Sequence, residues 1–153
     1  MDTIDRQILE CLQVNARISN AKIARKIGMA PSGVLERIRK LEERGVIRGY
    51  DLDVDPKQVG LGVLCYIFVK ADKYLDVGVL AAIPEVLEVH HIAGEDCFML
   101  KARVADNEAL GTLLETRITA LDPVISTRTT IVLSTVKETT RLPLNPDEEE
   151  FNG

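Results

Sequence analysis

Three cysteines, two histidines and no long apolar run are what this chain of 153 residues offers to covalent, metal or membrane chemistry. Cys11, Cys65 and Cys97 are odd in number and lack a short paired spacing, which excludes a disulfide framework and predicts reduced thiols in the cytoplasm. No apolar stretch approaches a membrane span, and Asp2, Asp5, Arg6 and Glu10 are incompatible with a signal peptide. There is no glycine-rich phosphate loop, nucleophile elbow or paired His–Cys spacing, so catalysis is not expected. His90 and Cys97, one imidazole and one thiol, are too few ligands for zinc. Asp51, Asp53 and Asp55 imitate the start of a calcium loop, but Pro56 and Gly62 stand where glycine and glutamate are needed. No metal or cofactor is expected.

The net charge of -5 alone argues against a polyanionic partner. Its distribution reverses that for one half. Residues 1–50 hold ten Lys/Arg against six Asp/Glu, net +4, whereas residues 51–153 hold nine against eighteen, net -9. Such asymmetry suggests that the first part alone meets nucleic acid.

That basic part contains two helix signals at a sharp turn. Ser19 is an N-cap, Ile18 and Ile23 occupy staple positions, and Gly28 supplies a stop. Pro31 suits the first position of a second helix, which carries Val34, Ile38 and Leu41 on one face and ends at Gly45. An earlier helix over residues 3–14, capped by Asp2 or Thr3, would cover both stripes with Ile4, Ile8, Leu9 and Leu12. VIRGYDLDV then alternates as one or two short strands. A helix, a glycine-containing turn, a helix with a cationic outer face and a following ribbon form the layout of a winged helix-turn-helix. With Val34 inward and about 100° per residue, Ser32, Gly33, Glu36 and Lys40 face outward and Arg37 lies at the margin. These five are the candidate base readers of duplex DNA, and Arg25, Lys26, Arg39 and Arg48 the candidate phosphate contacts.

DPKQVGLG, rich in turn formers, separates the halves. The expected organisation is a DNA-binding domain over 1–54, a linker over 55–62, a second domain over 63–141 and a mobile acidic tail over 142–153. The second domain reads as strand 63–71, helix 74–83 before Pro84, strands 86–92 and 97–104, helix 107–121 and strand 125–136. A tight turn at Gly94-Glu95 would join the middle strands and set Ile92 opposite Cys97. The order βαββαβ is ferredoxin-like, with two helices on one sheet face. The fold class is therefore α+β. Strands this apolar ask for cover on the other face, and a second copy of the sheet supplies it, giving at least a dimer.

Together these stretches resemble the Lrp/AsnC (feast/famine) transcriptional regulators over roughly residues 2–141. IDRQILECLQVNARIS resembles the family's opening helix, and IGMAPSGVLERIRKLEERGVIRGY its recognition helix and wing. AGEDCFMLKARV resembles the glycine-acid turn of the effector domain and STRTTIVLSTVKET its final strand. The resemblance implies homodimers that assemble into octamers and an amino-acid effector, and two recognition helices in a dimer would read an imperfect-palindrome promoter site. It marks Gly94, Glu95, Asp96 and Cys97, with Thr127, Arg128 and Thr129, as effector-binding candidates. Two positions depart from the family: Ala30 replaces the usual capping serine, and Cys97 stands where an aspartate usually helps bind the effector. The competing reading is a small-molecule sensor or accessory subunit that regulates an enzyme by protein contact.

Overall fold

The computed structural model describes residues 1–144; the acidic run Asp147–Glu150 of the expected tail lies outside them. Its contacts form two compact units, Met1–Leu52 with the segment from Lys137, and Asp53–Val136. Among the described residues no helix is long and apolar enough to cross a membrane.

The first unit is three helices: α1 (Thr3–Val14), α2 (Asn20–Ile27) and α3 (Pro31–Glu43). Asp2 caps α1 in a reciprocal box, the Asp5 amide donating to Asp2 and the Asp2 amide to Asp5. Ser19 caps α2, which ends at Gly28 with φ +71°, a left-handed conformation that side chains disfavour. Ala30 supplies no cap to α3, which begins directly on Pro31. Ile8, Cys11, Ile23, Ala24, Val34 and Ile38 form the core between the helices. The segment from Lys137 belongs to this unit. Leu142 donates its amide to Gln13 Oε1 at 2.6 Å and accepts from Gln13 Nε2 at 3.0 Å, and Arg6 donates to the Leu144 carbonyl. The expected free tail is thus tied to α1 at its first residues.

No strand forms over residues 46–54, where a wing ribbon was expected. Val46 and Ile47 instead fold back, both amides donating to the Leu41 carbonyl, and the Tyr50 hydroxyl donates to Glu42 at 2.8 Å. Beyond them Leu52 is 85% exposed. An alternating sequence becomes a strand only when another strand takes its hydrogen bonds, and this single chain offers none here.

The second unit is a four-stranded antiparallel sheet in the order β2-β3-β1-β4, from β1 (Val63–Ala71), β2 (Val86–His91), β3 (Phe98–Val104) and β4 (Val124–Ile131). Cys65, Ile67 and Val69 of central β1 lie opposite Ala102, Leu100 and Phe98 of β3. They pack against Leu80 of α4 (Val77–Ala81), and against Leu110, Leu113 and Ile118 of α5 (Asn107–Leu113) and the π-helical turn Leu114–Ile118 that continues it. Leu64, Tyr66, Phe68 and Lys70 point to the opposite face, away from α4 and α5, beside Met99 and Arg128.

Two elements are shorter than their sequence signals, and one turn is wider. Helix α4 starts at Val77 rather than at 74, because Asp72 and Asp76 draw the Tyr74 and Gly78 amides into local turns. Strand β4 stops at Ile131 rather than running to 136. Its last ladder bond, from the Val132 amide to the Leu64 carbonyl, is at the start of β1, and Leu133 and Val136 beyond it are exposed. The tight turn at Gly94-Glu95 is also absent. Ile92 donates to the Cys97 carbonyl as expected, but Gly94 lacks the positive φ of a two-residue hairpin, so residues 93–96 form an open loop.

Ile67, fully buried between Leu100 and Thr129, is the centre of this sheet. Truncation to alanine is expected to destabilise the protein by about 2–5 kcal/mol through the cavity it leaves. Denaturant unfolding should show a lower midpoint with an unchanged slope.

Candidate nucleic-acid interface and effector loop

Helix α3 buries Val34, Ile38 and Leu41, and this stripe decides what is left outside. Ser32, Glu36 and Lys40 are exposed, as expected for base readers. Arg39, expected at phosphate, shares that face and pairs with Glu36 at 3.2 Å and Glu43 at 3.7 Å. Lys40 lies 3.5 Å from Glu36. The hydrogen bond from Arg39, more than the charge of Lys40, holds the Glu36 carboxyl below its ordinary value. Glu36 is therefore an anion that orders two cations. Arg25 and Lys26 on α2 and Arg48 after α3 are all exposed.

Two expected base readers are placed differently. Gly33 is half-buried, and a Cβ built on it would lie 3.0 Å from Met29 Cε, the flexible end of that side chain. Arg37 turns toward α1, where its Nη1 contacts Asp2 Oδ2 and Asp5 Oδ1, each at 2.7 Å. It lies three residues from Val34, on the flank of the buried stripe. Asp5 is the one charged residue that is buried among the described residues, and Arg37 neutralises it. The Asp5 amide and then the Arg37 guanidinium hold the Asp2 carboxyl below its ordinary value of 3.8. Arg37 is a clamp between the first and third helices.

The effector candidates fall into two groups within the second unit. Asp96, from the loop between β2 and β3, reaches Arg128 of β4 at 2.8 Å, and that guanidinium lies 4.2 Å above the ring of Phe68 on β1. Asp96, Phe68 and Arg128 thus converge on the open sheet face. Gly94 and Glu95 are exposed on the loop beside them. Cys97 is held by backbone, its amide donating to the Val69 carbonyl at 2.9 Å and its thiol to the Ala71 carbonyl at 3.2 Å. Thr127 and Thr129 pair with Val69 and Ile67, and so point to the helix-covered side rather than beside Arg128. Sequence reasoning missed Phe68, whose signal was its place opposite Arg128 in an antiparallel pair. It also missed Asp2 and Asp5, whose Asp-x-x-Asp spacing was visible as a helix cap.

Residues 1–48 match the winged helix-turn-helix DNA-binding family and residues 67–142 the Lrp/AsnC ligand binding domain. The chain is 39% identical over 147 residues to the HTH-type transcriptional regulator FL11 of Pyrococcus horikoshii, covering 94% of this chain and 97% of that protein. The chain belongs to the Lrp/AsnC family. Escherichia coli AsnC superposes with a TM-score of 0.87 at 33% identity, covering 94% of this chain and 99% of that one. The Neisseria meningitidis regulator NMB0573, solved as a complex with L-methionine, superposes equally well, TM-score 0.87 at 32% identity over 95% of this chain and 97% of that one. This Lrp/AsnC protein is a DNA-binding transcriptional regulator with a ligand-binding domain, and the reading as an accessory subunit of an enzyme is not favoured.

Two of the three cations of α3, Lys40 and Arg37, are expected to separate on substitution. Lys40→Ala should leave the melting temperature nearly unchanged and weaken binding to the promoter more than to random duplex. Arg37→Ala should lower the melting temperature, because it leaves the buried Asp5 carboxylate without its cation. The pH dependence has a definite sign. Asp2 has a lowered folded-state value, so its share of the clamp's stability is present above pH 3.8 and is lost as the pH falls below it. Thermal melts of wild type and Asp2→Asn should therefore differ near neutrality and converge in acid.

Proposed function

We propose that this Lrp/AsnC regulator acts as a dimer that reads an imperfect palindrome through two copies of α3. Its targets are promoters of genes for amino-acid or related metabolism, and it acts in the cytoplasm by binding alone. The observation that carries the reading is the division of labour on α3. Val34, Ile38 and Leu41 hold the core, Arg37 holds α1, and Ser32, Glu36, Arg39 and Lys40 are left exposed on the remaining face. Helix residues near the N-terminus would reach base edges, with Arg25, Lys26 and Arg48 toward phosphates. The open sheet face, with Tyr66, Phe68 and Met99, is where a second copy would sit, and dimers would join into octamers.

Electrophoretic mobility shift on the regulator's own promoter, at two salt concentrations, tests the DNA reading. Six phosphate contacts would give a slope of about -5 in log K against log salt. Binding indifferent to salt, or no tighter to promoter than to random duplex, would refute it.

The effector site in this reading is the Asp96–Arg128 pair with Phe68 beneath it. A free amino acid carries both charges, so its ammonium group would take the place of Arg128 beside Asp96 while its carboxylate engages Arg128. Cys97 supplies no charge to the site. Such a ligand regulates only by binding one assembly state better than another. Thermal-shift measurements with L-methionine and other amino acids check this. A ligand at 100 times its Kd stabilises by about 2.7 kcal/mol, and Asp96→Asn should abolish the shift. An undiminished shift in Asp96→Asn would place the effector elsewhere.

A further inference from the structure

We propose that Leu35 is a specificity-determining residue of α3 and reads the C5-methyl group of a thymine in the major groove. This deepens the DNA reading above and rests on it. Leu35 is 56% exposed, although its helix has a buried stripe with room for leucine at position 41. It is three residues after Ser32, four before Arg39 and three before Ile38, so it lies at the border of the exposed row and the buried stripe, and its exposure puts it with Ser32 and Arg39. It lies in the second turn from Pro31, in the N-terminal half of the helix that enters the groove most deeply in helix-turn-helix docking.

The neighbours sharpen the assignment. Glu36, adjacent in sequence, has its carboxylate engaged by Arg39 and Lys40. Arg39 is in turn divided between Glu36 and Glu43. The charged side chains of this face are thus paired with one another, and Leu35 is its one large apolar group. A leucine neither donates nor accepts hydrogen bonds. Among the base edges of the major groove only thymine offers an apolar group, whereas guanine, adenine and cytosine present acceptors or amino donors. Leucine pressed against those edges would strip water from polar groups without replacing its hydrogen bonds. The same side chain therefore favours thymine and disfavours the other bases at one position of each half-site.

The test uses the full-length protein and a duplex selected from a random pool by the wild type. Each thymine is replaced in turn by deoxyuridine, which removes the methyl group and leaves the protein untouched. Wild type should lose about fourfold in affinity at one thymine of each half-site, the worth of one buried methyl group. Leu35→Ala, an exposed position in a helix that tolerates alanine, should bind the thymine and deoxyuridine duplexes equally there and accept other bases at that position. Leu35→Ala that keeps the full thymine preference, or wild type that nowhere distinguishes thymine from deoxyuridine, would overturn the assignment while leaving the DNA reading intact. Dissociation of the Leu35→Ala dimer in sedimentation would also overturn it, placing Leu35 in a subunit contact. Wild type that selects no sequence at all would instead remove the parent reading.

Discussion

The burial of one stripe on α3 is the constraint from which the DNA-binding unit follows. Val34, Ile38 and Leu41 are each almost wholly removed from water, worth about 1.5–3 kcal/mol apiece, Val34 and Ile38 against the other two helices. The absent side-chain cap at Ala30 costs about 1 kcal/mol by comparison, so the helix forms without it. Once that stripe is inward, helical geometry leaves no freedom over the rest. Position 37 must flank α1, positions 32, 35, 36, 39 and 40 must face away, and glycine at 33 must meet Met29. The function of this unit is the residue of its packing.

Charge is organised by the same economy. Cations outnumber anions in the first fifty residues, yet several anions there have assigned cations: Asp2 and Asp5 share Arg37, and Glu36 gathers Arg39 and Lys40. An exposed pair of this kind contributes little to stability, since water screens it. Its effect is on arrangement. Glu36 restricts two long side chains before any polyanion arrives, and the ordering entropy they would otherwise lose on binding is partly spent in advance. In the proposed DNA complex, Arg39 and Lys40 would have to exchange a carboxylate for a phosphate or a base. In the second unit Asp96 and Arg128 would face the same exchange at the proposed effector site, with the Arg128 guanidinium stacked over Phe68.

Most of the fold was legible because it rests on local rules. Caps at Asp2 and Ser19, stops at Gly28 and Gly45, and the apolar rhythm of β1 and β3 all act within a few residues of themselves. What was not legible depends on partners distant in sequence. Nothing within α3 reveals that Asp2 and Asp5 lie beside position 37, so a cation there was assigned to DNA. Strand β4 was drawn too long because threonine, valine and isoleucine continue to Val136, while its pairing ends where β1 begins at Val63. The strand expected over residues 46–54 is missing for the same reason, since alternation describes a candidate and only a neighbouring strand completes it. The loop at Gly94 shows a further limit: glycine permits a positive φ but does not demand one.

The substitution at position 97 becomes intelligible only with the loop in view. An aspartate there would bring a carboxylate to the place where the Cys97 thiol donates to the Ala71 carbonyl, and an anion facing a carbonyl oxygen is unfavourable unless a cation joins them. With a thiol, the contact is satisfied without any ligand. The acidic role can move one residue back, to Asp96, which in exchange is held by a cation of its own chain. A site of this design starts from a closed ion pair rather than an open carboxylate. If the effector binds there as proposed, it would have to offer both charges, because a molecule with one could open the pair but would leave the other side chain without a counterion.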